Sequence, residues 1–273
     1  MPSIDIGANL AHDSFDADRE AVLQRAQDAG VQAIIVTGSC AESIPNAIKL
    51  SREHPGYLYA TAGVHPHHAK TVDAALIKQL QHWGQADEVV AMGEMGLDFF
   101  RDFCPRDVQE TAFQQQLDAA SDLGKPLFLH QRDAHQRFLP ILREQLQRFP
   151  AAVVHCFTGT ESELRDYLDL GLYVGITGWI CDERRGQHLL DIVGLIPEDR
   201  LLVETDAPYL LPRTIKPKPS SRRNEPQYLP AVIETIATAT GRSARQVATA
   251  TANNARRFFN LSTHDALNAS VAI

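Results

Sequence analysis

Apolar residues along this chain fall into short continuous runs separated by longer segments of helical spacing. The runs are Ser3 to Gly7, Ala33 to Thr37, Leu58 to Ala62, Val89 to Gly93, Leu127 to His130, Ala152 to His155, Leu172 to Ile176 and Leu201 to Glu204. Each is too short for a buried helix, and each is apolar throughout rather than alternating, as expected of parallel strands covered on both faces. Between them, Asp107 to Leu123 places Phe113, Leu117 and Ala120 at helical spacing and closes on Gly124 and Pro126, a helix with its stop signal. Thr160-Glu161-Ser162-Glu163 and Ser39-Cys40-Ala41-Glu42 have capping-box form, which predicts helix starts soon after the sixth and second strands. Strand then helix, eight times over, predicts an α/β TIM (β/α)8 barrel.

A length of 273 residues suits one such barrel, and no linker, repeat or low-complexity tract divides it. The expectation is a single domain over residues 1–273, with a short disordered tail from about residue 262. A hydrophobic fraction of 44% is ordinary for a globular chain and excludes a disordered composition. Cys40, Cys104, Cys156 and Cys181 are widely spaced, without a CxxC pair, which fits neither a disulfide framework nor a thiolate zinc site. Met1-Pro2-Ser3-Ile4-Asp5 lacks the basic-then-apolar order of a signal peptide, and no long apolar run suggests a membrane span. A cytoplasmic protein is expected, with no membrane association and no obligate protein partner.

The carboxyl ends of the strands carry the candidate chemistry. In a barrel these ends and the loops after them form the face where active sites are built. Glu94, His130, His155 and Asp206 stand there, two imidazoles and two carboxylates, a set suited to Mn, Zn or Fe and to Mg if water completes the shell. This predicts a metal-dependent hydrolase in which bound metal lowers the pKa of water and neutralises developing charge. Glu204 precedes Asp206 by two residues, so both side chains point to one side of the strand. Glu204 is expected to accept the free N–H of a ligand histidine, and Asp206, nearer the open end, to be the catalytic group. His65 is expected to face the site, whereas His67 and His68 are expected to be solvated. The remaining histidines, His12, His54, His82, His135, His188 and His264, show no convergent partner.

The net charge of −8 argues against a broad nucleic-acid surface, which normally rests on many Lys and Arg contacts. It leaves room for local anion binding. Arg213, Lys216, Lys218, Arg222 and Arg223 occur in one stretch with no acidic residue among them, and that stretch follows the eighth strand, beside the candidate metal. Arg222 and Arg223 are therefore candidate phosphate clamps. Trp179, and also Phe99, Phe100 and Phe103, are candidate platforms for splayed bases.

Gly63-Val64-His65-Pro66-His67, Gly93-Glu94-Met95-Gly96-Leu97-Asp98, His130-Gln131-Arg132-Asp133-Ala134, His155-Cys156-Phe157-Thr158-Gly159 and Glu204-Thr205-Asp206-Ala207-Pro208-Tyr209 resemble the TatD family of metal-dependent deoxyribonucleases, from Asp5 to about Phe259. The resemblance implies a barrel of the metal-dependent hydrolase, amidohydrolase-like type and nuclease action on DNA. Where most relatives carry His-x-His after strand one, this chain has Asn9-Leu10-Ala11. The resemblance to relatives that lack this pair implies Mg²⁺ taken from solution, with Mn²⁺ or Zn²⁺ as other possibilities; Asn9 is either in an indirect, water-mediated metal contact or a turn residue after strand one. The branch of the family lacking that pair implies 3′ to 5′ exonuclease action on single-stranded DNA, and on RNA ends, in DNA repair or degradation. Metal held by Glu94, His130 and His155 would activate water, Asp206 would take its proton, and His65 would stabilise phosphate or protonate the leaving oxygen. The same chemistry attacks acyl carbons, so an esterase or amidase such as a D-aminoacyl-tRNA deacylase is the alternative. A catalytically vestigial nucleic-acid-binding barrel is the second.

Overall fold

The computed structural model describes residues 1–261. The tail expected from about residue 262, and His264 within it, lie outside the described residues. Eight strands, β1 (Ser3–Ala8), β2 (Val31–Val36), β3 (Leu58–Ala62), β4 (Val89–Asp98), β5 (Leu127–Arg132), β6 (Ala152–Val154), β7 (Tyr173–Ile176) and β8 (Leu201–Val203), lie in sequence order in one sheet. Every neighbouring pair is parallel. The ring closes just past the last strand, where Ala8 bridges Ala207, Asp206 N donates to Gly7 O at 2.8 Å and Asn9 N donates to Ala207 O at 2.7 Å. The architecture is the TIM barrel that the strand–helix alternation predicts.

The outer ring consists of α1 (Arg19–Asp28), α2 (Ser43–Glu53), α3 (Ala74–Gly84), α4 (Arg106–Ala120), α5 (His135–Gln145), α6 (Glu161–Asp169), α7 (Gln187–Ile192) and α8 (Leu229–Thr240), followed by α9 (Ala244–Phe259). Alternate strand residues face opposite layers. Ile34, Val36, Leu127, Leu129 and Val154 pack towards the helices, while Ile4, Ile6, Ile35, Phe128 and Leu202 form a second cluster that Phe258 and Phe259 of α9 join.

Three local expectations need correction or extension. β4 runs on to Asp98 rather than stopping at Gly93, because Met95 and Leu97 are as buried as the residues before them and pairing with β5 resumes after an irregularity between Met92 and Met95. Ser39 does not cap α2. The helix starts at Ser43, whose Oγ accepts from Ser39 N at 2.9 Å and Cys40 N at 3.0 Å, so the hydroxyl holds the strand-exit loop instead. Thr160 and Glu163 do form a capping box on α6, and Ser243 with Gln246 forms another on α9 that pattern reading passed over.

Candidate metal centre

Parallel strands in register bring the polar residues at their ends to the floor of one open pocket of about 950 Å³. Glu94 is its centre. Glu94 Oε1 lies 3.3 Å from His65 Nε2, 3.0 Å from His130 Nδ1 and 2.8 Å from His155 Nε2. Candidate ligand atoms of His65, Glu94 and His130 all fall within 4.8 Å of one another. Asp206 lines the same pocket, its Oδ1 accepting from Asn9 Nδ2 at 3.1 Å, while the same Asn9 amide donates to Ala207 O at 3.2 Å.

A second tier of carboxylates orients these groups. Glu204 is completely buried; its Oε2 is 3.3 Å from His155 Nδ1 and its Oε1 accepts from Cys156 N at 2.6 Å. It fits because two glycines make room: a Cβ on Gly7 would run into Oε2, and one on Gly175 would sit 2.7 Å from Oε1. Asp98 Oδ2 lies 2.9 Å from His67 Nε2 and 3.4 Å from His130 Nε2. Its Oδ1 accepts from the backbone of Phe100 and Arg101 at 3.0 and 2.8 Å. Cys156 and Asp206 hold left-handed backbone conformations, φ 47° and 55°, uncommon for residues with a Cβ and typical of sites where a side chain is re-aimed.

Electrostatics divides the histidines. Withdrawal from water outweighs the pull of Glu94 on His65 and holds its pKa well below the usual range. For His155 burial also opposes the charged form, but Glu94 and Glu204 override it and the pKa lies well above ordinary. His130 is raised despite burial, through Asp98 and Glu94. Asp206 is pushed up to about 7, chiefly by withdrawal from water, with His155 opposing and Glu94 and Glu204 adding to the rise.

The donor set fits a divalent cation. Both ring nitrogens of His130 are buried without a well-directed hydrogen bond, although Glu94 Oε1 and Asp98 Oδ2 stand 3.0 and 3.4 Å away. Three imidazoles gathered around one carboxylate oxygen, with His130 lacking a well-directed hydrogen bond, make a donor set that an ion can draw together. Imidazole with carboxylate suits Zn, Mn or Fe, and Mg with water.

The family model described as TatD related DNase matches residues 4–260. The chain belongs to this family. It is 50% identical over 257 residues to a protein of Erwinia tasmaniensis named 3′-5′ ssDNA/RNA exonuclease TatD, covering 94% of this chain and 99% of that one. Among solved structures, a TatD family hydrolase from Entamoeba histolytica superposes with a TM-score of 0.88 at 26% identity, over 96% of this chain and 99% of that one. The TatD homologue YjjV of Escherichia coli K12 gives 0.86 at 30% identity, over 95% and 98%.

The rim of this TatD-family pocket differs in part from expectation. Arg222 lines it and is exposed. Arg223 does not line it: its guanidinium binds Asp18, Glu225 and the Ser14 carbonyl, so nearby carboxylates have already spent its charge. Arg213 is likewise paired, with Glu183 at 2.6 Å. Trp179 lines the pocket with its Nε1 donating to Arg185 O at 3.2 Å. Phe100 and Phe103 line it with 54% and 61% exposure, whereas Phe99 packs against the core. His67, expected to be solvated, is instead bound to Asp98, and its ring centroid is 4.2 Å from that of His65; His68 is exposed. His135 has partners after all, Tyr167 and Asp166 at 2.9 Å each, outside the pocket. Asp98, His67, Arg132 and Arg185 were not assigned a role from sequence. The signal for Asp98 and Arg132 is their place at the ends of β4 and β5, which a strand boundary set at Gly93 or His130 hides.

Proposed function

We propose that this chain is a metal-dependent 3′ to 5′ exonuclease acting on the ends of single-stranded DNA and RNA. The convergence of His65, His130 and His155 on Glu94 Oε1, beside Asp206, carries the proposal. Membership of the DNase family and the activity named for the Erwinia relative support its substrate and polarity.

Glu94, His130 and His155 would hold the ion, Mg²⁺ in our reading with Mn²⁺ or Zn²⁺ able to replace it, and such an ion neutralises phosphate charge and lowers the pKa of water. Glu204 accepts a hydrogen bond from the Nδ1–H of His155, which leaves Nε2 of that ring for the ion. His67 N donates to His65 Nδ1 at 3.1 Å, so the neutral His65 ring carries its proton on Nε2. That N–H faces the floor, where it stabilises phosphate; a neutral imidazole is too weak an acid to protonate the leaving 3′ oxygen, which takes its proton from water. Asp206 accepts the proton of the attacking water. Asn9 holds Oδ1 of Asp206, which keeps the carboxylate oriented as a general base. Arg222 contacts the substrate phosphates, and Trp179 borders the strand. Arg223 supports the loop from behind.

We place this activity on one domain, in the cytoplasm, in DNA repair or degradation, without a membrane or an obligate protein partner. No helix among the described residues is long and apolar enough to cross a membrane. Digestion of 5′-labelled and 3′-labelled single strands with Mg²⁺, Mn²⁺ or Zn²⁺ tests the reading. A 5′ label should give a ladder shortening one nucleotide at a time, and a 3′ label only mononucleotide. Intact strands with every metal, or internal cuts, would refute it.

A further inference from the structure

The pocket rim carries a stack of cations and rings that the metal centre does not use. The Arg132 guanidinium lies 4.1 Å from the Phe100 ring centroid and 5.1 Å from that of Trp179, and Arg185 lies 4.2 Å over Trp179. All four side chains line the pocket. Arg185 is paired with Asp182 at 2.9 Å, a carboxylate it shares with Arg184. Arg132 is different: among the described residues no carboxylate pairs with it, and its side chain makes no hydrogen bond. Ring faces hold its guanidinium by cation–π attraction, which leaves the in-plane N–H donors unspent. The Phe100 ring is 54% exposed.

Strand geometry places this cation relative to the chemistry. His130 and Arg132 both belong to β5 and, two residues apart, project to the same side. At a rise of about 3.3 Å per residue, Arg132 stands roughly 7 Å further towards the open end. A strand whose 3′ end reaches the floor at Glu94 and His130 must leave through the mouth. Arg132 is the unpaired cation beside that path on the strand that carries His130.

We propose that Arg132 binds the phosphate immediately 5′ of the scissile one, and that the exposed Phe100 ring stacks on the adjoining base. This rests on the nuclease reading. Phosphate meets the forked donors of Arg132 in bidentate fashion, while ring stacking tolerates any base that is free of a duplex. The subsite therefore selects single strands, and it selects substrates with at least one phosphate beyond the one cleaved.

The test compares an all-phosphodiester oligonucleotide with one bearing a single neutral methylphosphonate at that linkage, on the wild type, Arg132→Ala and Arg132→Lys. The neutral linkage should raise the wild-type KM roughly tenfold or more, the size of a charge-assisted hydrogen bond. Arg132→Ala should raise KM for the native oligonucleotide by a similar factor, and the neutral linkage should then add little. Arg132→Lys, which keeps the charge and guards against a folding defect, should recover part of the loss. Effects of linkage and mutation that multiply as independent factors, or an Arg132→Ala protein with unchanged KM, would overturn the subsite. If the wild type cleaves neither strand with any metal, the nuclease reading fails, and equilibrium binding of the two oligonucleotides in chelator decides the subsite alone. A wild-type preference for the charged linkage that Arg132→Ala abolishes supports it; no preference sinks it.

Discussion

Arg223 grips Asp18 with both ends of its guanidinium, Nη1 to Oδ1 at 2.8 Å and Nη2 to Oδ2 at 2.7 Å, while its neighbour Arg222 stands exposed in the pocket wall. Adjacent arginines thus have opposite employment. Arg223→Ala should lower stability by about 1–2 kcal/mol, because Asp18 and Glu225 keep Arg25 as their one charged partner among the described residues. Arg222→Ala should leave stability nearly unchanged, weaken oligonucleotide binding and reduce the slope of log K against log salt by about 0.7. Urea melts with binding over a salt series check both, and a common effect of the two variants would contradict the division.

Glu204→Gln should preserve the fold, since the shapes match, yet lower metal affinity or turnover about 10–100-fold. The amide offers one acceptor where the carboxylate serves both His155 Nδ1 and Cys156 N. Calorimetric metal titration of the variant is the check; wild-type affinity would show that His155 needs no such orientation.

Asp206→Asn should lose turnover by at least two orders of magnitude, the usual scale of a general base, while still binding substrate. An amide keeps an oxygen for Asn9 but cannot take up a proton. Single-turnover cleavage at saturating oligonucleotide separates this from a binding defect, which would appear as a raised Kd.

Chelated protein should recover activity with millimolar-range Mg²⁺ or Mn²⁺, because Asn9 and Ala11 supply no imidazole where a tightly held second ion would need two. Metal analysis of the purified protein tests this. Two zinc ions per chain surviving dialysis would refute it.

Asp5 ties β1 to the end of β8 through Thr205, with Oδ1 to Thr205 N at 2.9 Å and Oδ2 to Thr205 Oγ1 at 2.5 Å. Burial pushes its pKa up to about 7. A carboxyl whose folded pKa exceeds its unfolded value favours folding while protonated, so its contribution is complete below about pH 4 and is lost as pH climbs to about 7. Asp5→Asn mimics the protonated form and should gain stability relative to wild type between pH 5 and pH 8. Denaturant midpoints at the two pH values decide it; a constant difference between the proteins would mean that Asp5 does not titrate in this window.

The barrel was legible because its evidence is local. Each β-strand is a short apolar run, and the end of Asp107 to Leu123 is marked by Gly124, which adopts the left-handed conformation expected of a helix stop. Glu94, His130, His155, Glu204 and Asp206 were legible for a related reason: they end or follow those runs, and a parallel barrel sends all such ends to one face. Where the polar residue lay beyond an apparent strand end, as with Asp98 and Arg132, that rule could not reach it.

Sequence by itself determined the strand–helix alternation, the face that carries the chemistry, and the kinds of side chain present there. Only the tertiary structure decided which partner each charge has. Arg222 and Arg223 are chemically alike and adjacent, as are His67 and His68, and no local pattern separates them. Asp18 lies far from Arg223 in sequence, and Asp98 lies far from His67. Pairing of charge depends on distance in space and on exclusion of water, and both are set by closure of the barrel.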